Sequence, residues 1–347
     1  MGTVVFSPRP SLAITSVLGL VYNGAMPRLA WLFLCCPLLL AQEPPSFQIK
    51  ANYVKVPVSV FDTNGQILSN LTREQFILLD ENEPRLIENF LLDKTAIHVV
   101  LLLDVSSSLR EELEEIQEAA LQFAQAFSRE DRIAIVSFSD QLELLQDWTN
   151  NIKELRKSLK HLERGYRTAL YDALISTARE RLTQVPGKKV IIVLTDGLDN
   201  ESRSNLDDVL SLLIESDISL YIVSRTRLVQ PKIEQSERVD FLNQVMKNVL
   251  HEEKDFIDLY FREKEISLSH LAEATGGRVF FPEKLEDLRS SYMRVAEELK
   301  SQYVLTFRPP TSSEKAFRTI EVVCTQDIGR IHHRKQYHWL GSEPSDH

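Results

Sequence analysis

The stretch Val99-Val100-Leu101-Leu102-Leu103-Asp104-Val105-Ser106-Ser107-Ser108 joins an unbroken aliphatic run to a cluster of oxygen-bearing side chains. Such a run predicts a strand that is buried on both faces of a parallel sheet. Open α/β sheets bind their ligands at the carboxyl ends of these strands. Asp104, Ser106 and Ser108 stand there at alternate positions and offer the hard oxygen donors that Mg²⁺ and Ca²⁺ prefer. The alternative interpretation is that Ser106 or Ser108 caps the helix that follows.

The chain around this strand alternates strands with helices. Further strands are predicted at 132–138, 189–194, 218–223 and 278–281, with an edge hairpin strand at 142–145. Helices are predicted at 111–127, 152–162, 169–182, 206–215 and 268–275. This order predicts an α/β fold with a doubly wound, mainly parallel sheet and one antiparallel edge strand.

The two flanks of this region carry β patterns instead. Valines alternate with polar residues over 54–60, and Pro57 favours an edge position for that strand. After an amphipathic helix at 283–301, β patterns return at 303–307, 318–323 and 337–339. We therefore expect a small β module formed by both flanks.

These patterns divide the chain into consecutive parts. The expected parts are a leader at 1–41, an N-terminal β segment at 42–96, the α/β domain at 97–282, a linking helix with C-terminal strands at 283–341, and a disordered tail at 342–347. Within the α/β domain, residues 228–265 form an unusually long polar excursion with a helical apolar stripe. It is a candidate lid or partner surface, with a neutral insertion as the alternative.

The N-terminal segment is typical of an export signal. The first 41 residues contain no Asp or Glu, and an apolar run from Leu29 to Leu40 follows Met26-Pro27-Arg28 and ends at Ala41. This is the pattern of a secretory signal peptide, with Met26 as an alternative start, and the run is short for a membrane span. We expect a secreted, periplasmic or envelope protein; an uncleaved leader is the alternative and would be its only membrane contact. Cys324 alone remains beyond the leader, so an internal disulfide is excluded.

The bulk composition is that of a globular protein. The 347 residues are 43% hydrophobic and 26% charged, with a formal net charge of −10. A negative balance argues against sequence-independent binding to nucleic acid. A basic partner, or one bridged by a cation, fits better.

Two later loops offer further oxygen ligands at the same predicted edge. Thr168 lies in the loop that opens a helix, and Asp196, in Thr195-Asp196-Gly197, follows the second fully apolar strand. Taken alone, Thr168 is as well explained as the N-cap of a helix as it is as a metal ligand. Asp196-Gly197, taken alone, is typical of a turn. One divalent cation needs about six oxygens, however, so several loops must contribute.

The pattern Asp104-x-Ser106-x-Ser108, followed by Thr168 and Asp196, resembles the metal-ion-dependent adhesion site of von Willebrand factor A domains over residues 98–282. The resemblance implies that Ser106, Ser108 and Thr168 ligate directly, while Asp104 and Asp196 act directly or through water. It implies Mg²⁺, with Mn²⁺ or Ca²⁺ as alternatives, and a protein partner whose exposed Asp or Glu completes the shell. The whole chain also resembles exported bacterial A-domain proteins of the acidobacterial type, through Val56–Gly65, Leu71-Thr72-x-Glu74-x-Phe76 and Leu299-x-x-Gln302-Tyr303-Val304-Leu305; that resemblance implies no established activity.

An enzyme is the competing interpretation. An aspartate after a buried strand also begins phosphotransferases that form an aspartyl phosphate, but those need a second acid where Ser106 stands. The sequence has no nucleophile elbow and no Gly-rich phosphate loop. We therefore expect a binding protein, with a metal-dependent phosphoryl-transfer hydrolase and a purely structural metal site as alternatives. His332-His333 with His338 is interpreted as a solvated basic strand rather than a metal site, and Cys324 as a buried strand residue.

Overall fold

The computed structural model describes residues 53–105, 113–139, 141–162, 165, 167–199, 201–234, 256–311, 315–326 and 328–339. The strands are β1 Val54–Phe61, β2 Phe76–Asp80, β3 Glu83–Arg85, β4 Asn89–Leu92, β5 Ile97–Asp104, β6 Arg132–Phe138, β7 Leu142–Thr149, β8 Lys188–Thr195, β9 Ile218–Ser224, β10 Val279–Phe280, β11 Tyr303–Phe307, β12 Phe317–Cys324, β13 Arg330–His333 and β14 Gln336–His338. The α-helices are α1 Leu113–Gln125, α2 Ile152–Leu159, α3 Leu170–Thr177, α4 Leu206–Glu215, α5 Thr226–Glu234, α6 Phe256–Ala274 and α7 Glu286–Lys300. A 3₁₀ turn lies at Arg73–Gln75, and α3 continues into a π-helical stretch at Ala178–Leu182.

A six-stranded sheet in the order β10-β9-β8-β5-β6-β7 forms the centre of the fold. All its strand pairs are parallel except β6 with β7, which confirms the predicted sheet and its antiparallel edge strand. The strand β5 is central, and Val99 to Asp104 are all buried because helices cover both faces. One face packs against α1 and α7 through residues that include Leu101, Leu103, Phe123 and Tyr292. The other packs against α3, α4 and α6 through residues that include Val100, Leu102, Leu174, Leu213 and Leu271.

The helix α6 begins earlier than the sequence pattern indicates. It starts at Phe256, whereas the prediction placed its start at Leu268. The helix exposes Leu259 and Ile266 to solvent, so its apolar residues do not all lie on its buried side. The last part of the expected excursion is thus the first half of α6, and its first part belongs to α5. The apolar stripe between Val239 and Leu250 lies outside the described residues.

Two antiparallel sheets flank the central one. Their strand orders are β13-β1-β11-β4 and β14-β12-β2-β3, so each combines strands from both ends of the described chain. They share one apolar core that includes Val56, Val58, Leu78, Leu305 and Val322. This confirms the β structure expected from the two flanks.

The position predicted for β1 is wrong. The strand lies between β13 and β11 and is not an edge strand. The ladder with β13 involves only Val58 to Phe61, so pairing on that side stops before Pro57. A proline is tolerated where pairing ends, because no ladder hydrogen bond on that side needs its missing donor.

The interpretation of β13 as a solvated basic strand is also wrong. His333 is only 4% exposed, and its Nε2 accepts a hydrogen bond from the Val322 amide at 3.2 Å. Burial, followed by nearby positive charges, lowers the pKa of His332 to about 3. Burial and the charge of Lys335 lower the pKa of His333 to about 4. Both rings are therefore neutral near neutral pH.

The helix α7 belongs to the packing of the central sheet. Leu288, Tyr292, Val295 and Leu299 enter the core of the face that also holds α1. The domain boundary at 282 stays a prediction. Among the described helices, none has both the length and the apolar character needed to cross a membrane.

Candidate metal site

Asp104 ends β5 at the carboxyl edge of the central sheet. Its carboxylate is fully buried, and the Thr195 hydroxyl donates a hydrogen bond of 2.8 Å to its Oδ2. The parallel register pairs Leu103 with Leu194, which brings the ends of β5 and β8 side by side. A buried carboxyl group needs hydrogen-bond or charge partners, and the Thr195 hydroxyl is one partner of Asp104.

Asp196 follows β8 at the same edge and is 4% exposed. Its Oδ1 accepts a hydrogen bond of 3.1 Å from the Leu198 amide, which closes a tight turn. Gly197 adopts the left-handed φ of +73°, and a Cβ there would lie 2.9 Å from a methyl carbon of Leu268. The turn interpretation of Asp196-Gly197 therefore describes the backbone, while the second carboxylate oxygen has partners of its own.

One of those partners is Arg225, which the sequence analysis missed. It follows β9, is fully buried, and places Nη2 3.8 Å from Oδ2 of Asp196. Its backbone amide donates to the Thr195 carbonyl at 2.8 Å, which fixes it to the end of β8. The only sequence feature that points to Arg225 is its position directly after a third apolar strand. That position does not indicate whether the arginine side chain is buried or exposed.

Thr168 lies in a short loop that is tied to the ends of two strands. The Gly165 amide donates to the Val105 carbonyl at 3.0 Å, and the Ala169 amide to the Ser139 carbonyl at 3.2 Å. Thr168 is 3% exposed, and its carbonyl accepts from the Glu201 amide at 3.2 Å. The N-cap residue of α3 is Ala169, so the interpretation of Thr168 as the cap is wrong.

The loop after β8 and the start of α3 cap each other. The Asp199 carboxylate accepts from the Tyr171 amide at 3.0 Å, and Asp172 accepts from the Arg203 and Ser204 amides at 3.0 Å each. Burial would raise the pKa of Asp172, but the hydrogen bonds from Ser204 and Arg203 outweigh it and lower the pKa. The loops that carry Thr168 and Asp196 are thereby held together.

The first half of α6 borders this edge. Tyr260 packs in a small apolar cluster with Leu198, Val229, Ile257 and Phe261. Burial, and next the negative charge of Asp196, raise the pKa of Tyr260. The helix therefore brings an aromatic side chain within electrostatic reach of the candidate ligand.

The structure brings three of the predicted ligands, Asp104, Thr168 and Asp196, to one edge of the sheet; Ser106 and Ser108 lie outside the described residues. Two carboxylates and hydroxyls are hard oxygen donors, which fits Mg²⁺ or Mn²⁺. Within the described ranges no group of three His, Cys, Asp or Glu residues could hold a metal ion.

Residues 99–198, from β5 to the turn after β8, match the family model of the von Willebrand factor type A domain. Such domains are generally protein-interaction modules. A search of the curated proteins gave no match.

Solved structures with a similar arrangement include three proteins of low sequence identity. The BatB protein of Bacteroides thetaiotaomicron is 17% identical, with 37% of this chain and 66% of that chain covered and a TM-score of 0.32. An aerotolerance-related membrane protein of Bacteroides fragilis is 15% identical, with 59% and 98% covered and a TM-score of 0.41. Proximal thread matrix protein 1 of the mussel byssus, in a form with a zinc-occupied adhesion-site motif, is 16% identical, with 63% and 49% covered and a TM-score of 0.43. The chain thus spans less than two thirds of the length of BatB and of the mussel protein.

Proposed function

We propose that this protein captures a carboxylate of a protein partner through a divalent cation at the carboxyl edge of the central sheet. The proposed ligands are Asp104, Ser106, Ser108, Thr168 and Asp196, and Mg²⁺ is the proposed ion, with Mn²⁺ or Ca²⁺ as alternatives. The observation that carries the proposal is the fully buried carboxylate of Asp104, which lies beside the turn of Asp196. The apolar run Leu29–Leu40 supports an exported location, secreted or in the envelope.

The charges at the edge favour an acidic partner. Asp104 and Asp196 together balance a divalent cation, and the hydroxyl ligands add no charge. The fully buried Arg225, 3.8 Å from Asp196, offsets part of the negative charge. A bound divalent cation would supply an open coordination position with net positive charge around it. An Asp or Glu side chain from outside would neutralise that charge, whereas a neutral group would not.

The first test is cation binding. Titration calorimetry with Mn²⁺ and Mg²⁺ should give saturable binding to the unsubstituted protein. Asp104→Asn should weaken that binding by more than about 100-fold, because even the loss of an outer partner of a metal ligand costs about 10- to 100-fold. Asp147→Asn is the matched control, since Asp147 is an exposed aspartate on β7.

The second test is partner capture. Envelope proteins retained by the immobilised protein in Mg²⁺ should be released by a chelator and should not bind Asp104→Asn. Amidation of the carboxylates of a captured protein should also prevent its binding. Cation binding that stabilises the fold without any chelator-sensitive partner would favour a purely structural site. Phosphate-ester hydrolysis that Asp104→Asn abolishes would favour the hydrolase instead.

A further inference from the structure

A cleft of about 760 Å³ lies between the turn after β1, the helix α7 and the start of β13. None of the described candidate metal ligands, Asp104, Thr168 and Asp196, lines it. Its charged lining residues are Asp62, Arg278, Arg294, Glu297 and Arg330. Ligand pockets of small molecules typically enclose about 300–1,000 Å³, so the cleft has the size of a binding site.

Arg278 is held rigidly at this cleft. Its Nε lies 2.7 Å from the carboxylate of Glu298, which is fully buried. Its guanidinium carbon lies 4.9 Å from the ring centroid of Phe61 and 4.3 Å from that of Phe280. An arginine fixed between two rings and a carboxylate loses little further freedom when it binds a ligand.

The other two arginines have no such partner. Arg294, on α7, and Arg330, at the start of β13, are exposed, and within the described part of the chain neither forms an ion pair. The Asp62 carboxylate is turned toward its own loop, where Oδ1 accepts from the Asn64 and Gln66 amides at 2.8 Å each. Three arginines thus line one cleft beside the two carboxylates of Asp62 and Glu297, in a chain whose formal net charge is −10.

His332, next to the cleft, is sensitive to these charges. Its ring packs edge-on against Phe61 with 5.4 Å between the centroids. Burial lowers its pKa, and the charges of Arg278 and Arg330 lower it further. Arg278 and Arg330 therefore act on the same small volume.

We propose that this cleft binds a small anionic ligand through carboxylate or phosphate groups, with Arg278, Arg294 and Arg330 as the donors. The planar guanidinium group presents paired N–H donors that match both groups. Several arginines at one cleft are the usual arrangement for phosphorylated or acidic ligands. The proposal is independent of the metal site.

Titration calorimetry with citrate and with pyrophosphate tests this, at low ionic strength and in buffer freed of metal ions on a chelating resin. We expect saturable binding of at least one probe, weakened by added salt. Binding of citrate without binding of pyrophosphate would identify a carboxylate ligand. Binding of pyrophosphate without binding of citrate would identify a phosphate ligand. The double variant Arg294→Ala/Arg330→Ala should weaken binding by about tenfold or more, because hydrogen bonds between charged groups are lost.

Two controls make the result specific. Arg289→Ala removes an exposed arginine of α7 that does not line the cleft, and it should bind as the unsubstituted protein does. Asp104→Asn should also keep full binding, which separates this cleft from the metal edge. The proposal is overturned if neither probe binds, if the double variant retains full affinity, or if only Asp104→Asn loses binding.

Discussion

The Thr195 hydroxyl donates a hydrogen bond of 2.8 Å to the Asp104 carboxylate and accepts one of 3.0 Å from the Gly197 amide. This one side chain thus joins the ends of β5 and β8 and fixes the turn that follows Asp196. A hydroxyl that orients a carboxylate ligand is the kind of outer partner on which metal affinity depends.

Thr195→Val should therefore weaken Mn²⁺ binding by about 10- to 100-fold while the fold is retained. The control is Thr177→Val, since Thr177 is fully buried and its hydroxyl has no hydrogen-bond partner within the described residues. Calorimetric titration of both variants measures the difference. Equal affinities in the two variants would contradict an orienting role for Thr195.

Arg225→Met should make the fold depend on bound metal. The substitution removes the positive charge beside the buried Asp196. Breaking a buried ion pair lowers the free energy of unfolding by about 3 kcal/mol. A bound cation would replace the lost charge, so Mg²⁺ should raise the Tm of this variant more than that of the unsubstituted protein. Thermal unfolding in Mg²⁺ and in chelator measures both shifts. Arg289→Met, at an exposed site, should behave as the unsubstituted protein does; a Mg²⁺ shift no larger in Arg225→Met would rule out this coupling.

Asp199→Ala should weaken both the fold and the metal site. Asp199 accepts hydrogen bonds from three backbone amides, one of them in the first turn of α3, two residues after Ala169. Loss of such a cap lowers the free energy of unfolding by about 1 kcal/mol. It should also make the loop that carries Thr168 less ordered. Asn205→Ala is the matched control, because Asn205 caps α4 with its side chain but lies in another turn. Both variants should lose similar stability in denaturant titrations, and only Asp199→Ala should lose Mn²⁺ affinity.

The middle of the central sheet could be predicted because β5, β6, β8 and β9 are buried on both faces. The continuous apolar runs at β5 and β8 favour strands that are buried on both faces. The helix α4 has the predicted bounds Leu206–Glu215, and the side chain of Asn205 caps its start. The edge that holds Asp104, Thr168 and Asp196 follows from the order of the strands. Their assignment as metal ligands stays a prediction.

What could not be predicted depends on tertiary neighbours. A proline favours an edge position for its strand. The strand β1 is nevertheless an inner strand, because its ladder with β13 begins at Val58 and does not involve Pro57. Arg225 and His333 are polar residues of types that are usually exposed, and their burial is set by β8 and by β12. The pairing of distant segments carries no local signal in the chain.

The buried histidines of β13 predict a pH dependence of stability. The pKa of His332 is lowered from 6.5 to about 3 and that of His333 to about 4, while both return to ordinary values on unfolding. Below pH 6.5 the unfolded chain therefore binds more protons than the folded one. The free energy of unfolding should fall as the pH is lowered, by up to about 1.4 kcal/mol per pH unit for each histidine.

Denaturant titrations between about pH 5.5 and 7.5 measure this slope. The lower limit matters because the pKa of Glu81 is lowered from 4.5 to about 2, first by a hydrogen bond from Lys315, and its acid-labile contribution begins about one pH unit above 4.5. His332→Phe should reduce the slope by the share of one histidine, up to about 1.4 kcal/mol per pH unit, while His333 and His98, whose pKa burial also lowers, keep their shares. The substitution is suitable because Nε2 of His332 has no hydrogen-bond partner in the described structure and the ring contact with Phe61 can be kept. His161→Phe, at an exposed position, should leave the slope unchanged. A slope that His332→Phe does not reduce would mean that His332 is protonated in the folded protein, contrary to its burial.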